Sequence, residues 1–462
     1  MSAVLRLAAL ALLIGTAGCQ TVRPTAPAAA SAQTSLDTRA LADRVKAEFL
    51  HAWRGYRRYA SGYDDLRPLS KTGHNWYAQP IYFTPVDALS TMKLMGLDAE
   101  ADSVRAFLAA NLTFDHDQDV QVFEITIRHL GGLLSAYQLT GDRRMLDLAH
   151  DLGRRLLPAF QTPTGLPYRY VNLRTGAVRD SASNPAETGT LLLEFGTLSR
   201  ITGDPVFYDT AKRALVATFD ARSALGLVGN RIDVRTGQYV GRRSHVSGGI
   251  DSYYEYLLKC DRLFGDPDCR RMWEASRGPL HRYVADTTSV PGELWYAVVD
   301  MDTGERTSTT FGALDAFLPG VFVLDGDVGR ARRLQASAYR MWRLHGIEPE
   351  RFDYVSNAVT SPGYPLRPEI VESAYYLYRA TGDPRYVEMG AAMFEDFVRH
   401  CRTDAGYATL ASVVTKAQAD EQQSFLFAET FKYFYLLFAP PQTLDLDAVV
   451  FNTEAHPLRR TW

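Results

Sequence analysis

Apolar and amphipathic stretches alternate along most of the chain at helical spacing, with short punctuation between them. Five junctions show the pattern most clearly: "YQLTGDRRML" (137–146), "SRITGDPVFY" (199–208), "DRLFGDPDCR" (261–270), "FVLDGDVGRA" (322–331) and "YRATGDPRYV" (378–387). Each runs an apolar-periodic stretch into glycine, the residue that ends helices in the left-handed conformation. Aspartate follows, a preferred N-cap, and in three of the five a proline comes next, suited to a first helical turn. The pattern predicts helix, tight turn, helix. Gly141, Gly203, Gly265, Gly326 and Gly382 stand 62, 62, 61 and 56 residues apart. "KLMGLDAEAD" (93–102) reads as an earlier, degenerate copy.

Upstream of these turns an acid recurs in apolar company: Glu124, Glu187, Asp251, Glu369 and Glu429, at spacings of 63, 64, 118 and 60. The 118 covers two repeats, and the skipped copy falls near Ala313 in "FGALDAFLPG" (311–320). Each acid lies near the start of an apolar helix. The helices after the glycines are amphipathic, as in "MLDLAHDLGRRLL" (145–157). An apolar helix paired with an amphipathic one predicts an inner and an outer layer, stacked because one hairpin cannot bury its own apolar face. Copies at Asp87 and Glu429 bring the inner helices to seven, and the amphipathic segment 42–59 supplies an outer partner for the last. The expectation is an all-α barrel of seven helical hairpins whose acids converge at one rim. An open helical array binding a protein partner is the alternative. Buried acids cost several kcal/mol each unless partnered, so the recurrence points to a polar ligand, a cation or both.

Composition narrows the classes. The chain has 462 residues, 46% hydrophobic, with a formal charge of −3, which argues against a nucleic-acid-binding face. Arg6 precedes an apolar run over residues 7–14, too short to span a bilayer. The ending Thr16-Ala17-Gly18-Cys19 resembles a bacterial lipobox. This predicts a signal peptide over 1–18, lipidation at Cys19, a Pro/Ala/Ser/Thr-rich tether through residue 36 and a catalytic barrel over 37–462. The protein would be exported, periplasmic or on the outer membrane, touching the membrane only through its lipid; an ordinary cleaved signal is the alternative. Cys260 and Cys269 are close enough in sequence for a local disulfide, and Cys401 is left over. No Cys/His spacing marks a zinc site.

Seven segments carry a family resemblance: "HAWRGYRRYASGYDDLRPLS" (51–70), "VDALSTMKLMGL" (86–97), "FEITIRHLGGLLSAYQLTGD" (123–142), "DSYYEYLLK" (251–259), "LRPEIVESAYYLYRATGD" (366–383), "SFLFAETFKYFYLLF" (424–438) and "FNTEAHPL" (451–458). In order, they resemble glycoside hydrolase family 47, the class I α-1,2-mannosidases. The resemblance implies an (α/α)7 barrel plugged from its far end by the C-terminal segment. It implies a calcium-dependent, inverting exo-hydrolase that trims terminal α-1,2-linked mannose from an oligosaccharide; separately, the expectation is a monomer. A mannose-binding protein of the same fold with little turnover is the alternative.

By motif match, Glu124 corresponds to the general acid, acting through a water. Glu369 corresponds to the base and Asp251 to a third catalytic carboxylate. Arg128 would orient Glu124 and contact substrate, with Arg367 a partner for Glu369. Glu187, Glu372, Glu429 and Glu454 match acids that hold sugar hydroxyls or calcium-bound waters, and Phe425 an aromatic under the sugar. Thr453 would give calcium its hydroxyl and carbonyl oxygens, with His456 a structural hydrogen-bonder. Read alone, Glu124 and Arg128 make an ordinary i,i+4 pair, Glu369 a first-turn charge, Asp251 an N-cap and Phe425 core. Three positions depart from the family. Ala313 replaces a histidine that would help position water, and Ala316 replaces a cysteine. Gly249 stands where relatives carry bulkier residues, which would widen the pocket entrance.

Overall fold

Each Gly-Asp junction is a turn between two helices. The computed structural model describes residues 36–460. Gly141, Gly203, Gly265, Gly326 and Gly382 all take the left-handed conformation, with φ between 64° and 92°, where a Cβ is disfavoured. Asp142, Asp204, Asp266 and Asp327 cap the next helix with their carboxylates. In the fifth turn Pro384 takes the cap position, and Asp383 Oδ1 still accepts from the Arg385 amide at 3.1 Å.

The apolar helices are Phe83–Leu94, 122–140, 185–202, Asp251–Phe264, 314–325, Glu369–Thr381 and 426–438. Each packs on an amphipathic partner: in order, Asp98–Asn111, Arg143–Leu156, Pro205–Asp220, Pro267–Pro279, Val328–His345, Arg385–Cys401 and, for the last, Thr38–Tyr59. Successive apolar helices touch one another, and the seventh returns to the first, so the inner ring is closed. Helix Thr38–Tyr59 joins this closure through Phe49, whose ring lies 5.3 Å from that of Phe427 and 5.8 Å from that of Phe431. Two inner helices carry a π-turn, Thr126–Leu130 and Leu426–Thr430, at the level of the acids. Such bulges change which residues face inward.

The connections into the inner helices hold seven small antiparallel sheets of two or three strands among the described residues, for which the sequence had no signal. Strand Tyr170–Asn172, for example, lies between Asp119–Gln121 and Val178–Arg179.

The C-terminus fills the barrel. Strands Val449–Phe451 and Pro457–Arg459 form an antiparallel hairpin. Its base meets the C-terminal ends of the inner helices, where the Arg459 amide donates to Gln138 Oε1 at 2.9 Å. Its tip reaches the acid level, where Asn452 Nδ2 donates to the Ile127 carbonyl at 2.8 Å. The plug therefore enters from the far end, as expected. Ala455 turns the tip at φ 54°. Asn452 Oδ1 fixes that turn by accepting from the amides of Glu454 and His456 at 3.1 and 2.7 Å.

Candidate active site

Because every inner helix starts at the same rim, acids in their first turns meet. Glu124, Arg128, Glu187, Asp251, Arg367, Glu369, Glu372, Phe425, Glu429, Thr453 and Glu454 all line one cavity of about 370 Å³. These are all the expected site residues except Cys19, which lies outside the described residues.

Arg128 is the hub of one side. Its Nε donates to Glu124 Oε2 at 2.9 Å, and its Nη1 faces Glu454 Oε1, Asp87 Oδ2 at 3.4 Å and Ser424 Oγ at 3.3 Å. The i,i+4 pair is therefore one arm of a buried network joining two inner helices to the plug. The guanidinium carbon also lies 5.7 Å from the Phe425 ring, and that of Arg367 lies 5.6 Å from the same ring. Phe425 is thus held between two cations at the cavity wall, not lost in the core.

Arg367 differs from expectation in its partner. It grips Glu350 with two bonds, from Nε at 3.1 Å and Nη2 at 2.7 Å, and reaches Glu369 only through space. Glu350 lies on a rim loop 17 residues earlier, a fork geometry that no local pattern predicts. Glu369 is left with a buried Oε2 that no described residue bonds. Burial pushes its carboxyl up to about 7, against the pull of Arg367.

Asp251 opens its helix as a first-turn residue; the cap position belongs to Ile250. Its carboxylate accepts from the Ser252 amide at 2.8 Å, and burial raises it to about 6. Glu372 accepts from the Tyr433 hydroxyl at 3.0 Å and is pushed up to about 8 by burial, with Lys259 opposing. Glu429 and Glu454 are held well above the usual range by burial; Glu454 raises Glu429 further, Asp87 and Glu124 raise Glu454, and Arg128 opposes both shifts. Glu187 is raised by burial while accepting from Gln121 Nε2 at 2.8 Å, Ser183 Oγ at 2.9 Å and Arg169 Nη2 at 3.0 Å.

Several participants were not anticipated. Glu255 lines the cavity and is paired with Lys259 one turn on, inside the barrel. Lys432 is buried under the plug, where its Nζ donates to the Ala455 carbonyl and to Ser90 Oγ at 2.9 Å. Asp315 fills the gap in the acid series. It is buried behind Leu314, accepts from the Gly312 amide at 2.9 Å, and burial raises it to about 7. Its signal was available, since Asp315 stands 64 residues after Asp251 (315 − 251). Gly249 does line the cavity, and its φ of 90° favours glycine apart from any question of room. His456 stays outside the lining, with Nδ1 3.2 Å from Ser90 Oγ and Nε2 3.6 Å from Asp87 Oδ1.

The donors suit a cation held largely through water. No described residue bonds the hydroxyl or carbonyl oxygen of Thr453, whose amide alone is used, toward Tyr256 Oη at 3.3 Å. Glu372, Glu429 and Glu454 line the same cavity, and their burial favours the protonated form even though Lys259 and Arg128 oppose it. Among the described residues the acids do not themselves close into a cage. The grouping of metal-type ligand atoms within 4.8 Å is Cys260, Asp266 and Cys269, and those cysteines are joined in a disulfide. Hard oxygen donors of this kind fit an alkaline-earth ion better than a soft metal.

The chain matches the model of glycosyl hydrolase family 47 over residues 48–460. It is 37% identical over 450 residues to Alpha-mannosidase I MNS5 of Arabidopsis thaliana, covering 90% of this chain and 76% of that protein. It is 38% identical over 457 residues to ER degradation-enhancing alpha-mannosidase-like protein 2 of Mus musculus, covering 90% and 77%. Among solved structures, the alpha-1,2-mannosidase from Trichoderma reesei superposes with a TM-score of 0.84 at 29% identity, covering 91% of this chain and 99% of that one. A closed seven-hairpin barrel, a plugged acidic cavity and these matches together make the chain a glycoside hydrolase that belongs to glycosyl hydrolase family 47.

Proposed function

We propose that this protein is a calcium-dependent exo-glycosidase that removes terminal α-1,2-linked mannose from oligosaccharides with inversion at the anomeric carbon. The observation that carries the reading is the convergence of Glu124, Asp251 and Glu369, from three different inner helices, on one cavity in which Glu369 keeps an unpartnered oxygen. The similar proteins named as mannosidases support mannose as the sugar.

Inversion needs an acid at the glycosidic oxygen and a base at a water on the opposite ring face. Glu124, oriented by Arg128 Nε, donates the proton to the leaving oxygen through a water. Glu369 takes a proton from the attacking water on its free Oε2. Asp251 is the third carboxylate, placed by its helix start to hold that water or share its proton. Phe425 offers a flat apolar face to the sugar ring, and Glu187, Glu429 and Glu454 accept from hydroxyls. Bound calcium would hold sugar hydroxyls and stabilise negative charge on them, with Thr453 supplying two oxygens and Glu372, Glu429 and Glu454 bonding its waters.

Export with a lipid on Cys19 belongs to the same reading and rests on the sequence of residues 1–20. Metabolic labelling with a radioactive fatty acid tests it: label retained by the parent chain and lost in Cys19→Ala supports it, and no label refutes it. The activity is tested by incubating the protein with α-1,2-mannobiose, with calcium or with a chelator. Mannose released only with calcium is expected. Sugar binding without any release would instead mark a lectin-like protein.

A further inference from the structure

Glu348 is fully buried, and neither of its carboxyl oxygens bonds any described residue. No other acid among the described residues is buried with both oxygens unpartnered. An unpaired carboxylate is expensive to bury, so the group is held as the neutral acid. The chemistry described above does not use it.

Its place in the chain explains which way it faces. Glu348 and Glu350 flank Pro349 in the stretch that leads from the outer helix Val328–His345 into strand Arg351–Asp353. The residue before a proline favours extended backbone, and in extended backbone residues two apart face the same side. Both acids accordingly meet Arg367. Glu350 holds its guanidinium in the two-bond fork, and Arg367 is also the positive charge that acts on Glu348. The stretch itself is fixed on both edges. The Glu350 amide donates to the Gly363 carbonyl at 2.7 Å, and the Glu350 carbonyl accepts from the Ala313 amide at 3.3 Å.

The other groups that face Glu348 are Glu369, at the start of the next inner helix, and the buried Tyr364, whose hydroxyl donates to the Arg367 carbonyl at 3.1 Å. One guanidinium thus stands among three carboxyl groups, Glu348, Glu350 and Glu369. Burial, with Glu369 and Glu350 adding to it and Arg367 opposing, holds the Glu348 carboxyl well above the usual carboxylate range. While Glu348 keeps its proton, Arg367 forks Glu350, faces Glu369 and lies against the Phe425 ring. An ionised Glu348 would be a buried charge with Arg367 as the cation beside it, and so would compete with Glu350 for that cation.

We propose that Glu348 is a positioning residue for the base: its proton keeps Arg367 forked on Glu350 beside Glu369, and loss of that proton at alkaline pH draws Arg367 off the fork and stops hydrolysis. The effect on rate rests on the hydrolase reading above; the movement of Arg367 does not.

The test follows kcat/KM on α-1,2-mannobiose from pH 5 to pH 10 at saturating calcium, in the parent, Glu348→Gln and Glu348→Leu, each first shown to melt cooperatively at pH 6. Glutamine keeps the shape of the neutral acid, leucine suits an apolar pocket, and neither can ionise. Relative to its own rate at pH 6, each variant should begin its alkaline fall at least about one pH unit higher than the parent. An alkaline limb left in place in both variants would overturn the proposal. So would a rate lowered equally at every pH, which marks a purely structural residue. If the parent releases no mannose, the hydrolase reading fails by itself, and nitrogen-15 NMR of the Arg367 side chain decides the role of Glu348. The Nε resonance, assigned by its loss in Arg367→Lys, should move between pH 7 and pH 9.5 in the parent and stay still in Glu348→Gln. A resonance that moves alike in both, or in neither, overturns that role.

Discussion

Asn452 Nδ2 lies 2.8 Å from Glu194 Oε1, although the two residues are 258 positions apart. The bond ties the tip of the C-terminal plug to the wall of the barrel. Glu194 is fully buried and pushed up to about 7, with Tyr256 Oη as its other donor at 2.6 Å. Asn452→Ala would remove one donor from the Ile127 carbonyl and one from Glu194, and would unlock the turn that presents Thr453 and Glu454. We expect a loss of about 2–4 kcal/mol in urea unfolding. Calcium affinity should weaken along with stability, since one residue holds both. Loss of stability with unchanged calcium affinity would contradict the account of the plug.

The carboxylates divide by what they touch. Glu124→Gln and Glu369→Gln keep size and hydrogen bonding but remove proton transfer. Each should lower kcat by about 10²–10⁴-fold on mannobiose while leaving calorimetric sugar binding within a few-fold. Near-parent rates in both variants would show that neither is the acid or the base.

Burial also sets a pH signature. Folded Asp251 is raised to about 6, Glu194, Asp315 and Glu369 to about 7, and Glu372 to about 8. The folded protein therefore binds these protons more tightly than the unfolded chain does. The stability they contribute is complete below the ordinary carboxyl range and is lost as pH rises through 6 to 8. In chelator, the melting temperature should fall by roughly 5 °C or more between pH 5 and pH 8. Calcium at pH 8 should restore much of that fall by stabilising the ionised acids. A melting temperature that rises over this interval in chelator would contradict the assignment.

Thr453 has a narrower role. Thr453→Ala removes one of its two free oxygens and leaves its amide bond to Tyr256 Oη in place. Calcium affinity, read by titration calorimetry, should drop about tenfold or more, with urea stability in chelator nearly unchanged. An unaltered affinity would place the cation elsewhere.

The barrel was legible because its punctuation is local. A glycine that must be left-handed and an aspartate that caps can each be read within ten residues, and the acid upstream repeats with them. The fifth acid was obscured for a physical reason. The inner helix there begins as a 3₁₀ turn, Leu314–Phe317, and this turn leads Leu314 and Phe317 to the cavity while Asp315 is buried behind them. Asp315 nevertheless stands 64 residues after Asp251, in step with the series. The rim sheets were invisible because strands such as Val178–Arg179 and Ala182–Ser183 are too short to show a period of two. Long-range partners were equally out of reach. The Glu350 fork on Arg367 and the Lys432 grip on the Ala455 carbonyl depend on ring closure and plug insertion. The i,i+4 pair of Glu255 and Lys259 could be read as a helix pair, but its burial could not.

The most direct test of the central claim is proton NMR of the first mannose released from α-1,2-mannobiose by the calcium-loaded protein. The account predicts β-mannose first, with the α-anomer growing only by mutarotation, and no release after chelation. Initial α-mannose, or release at the same rate in chelator, would contradict it.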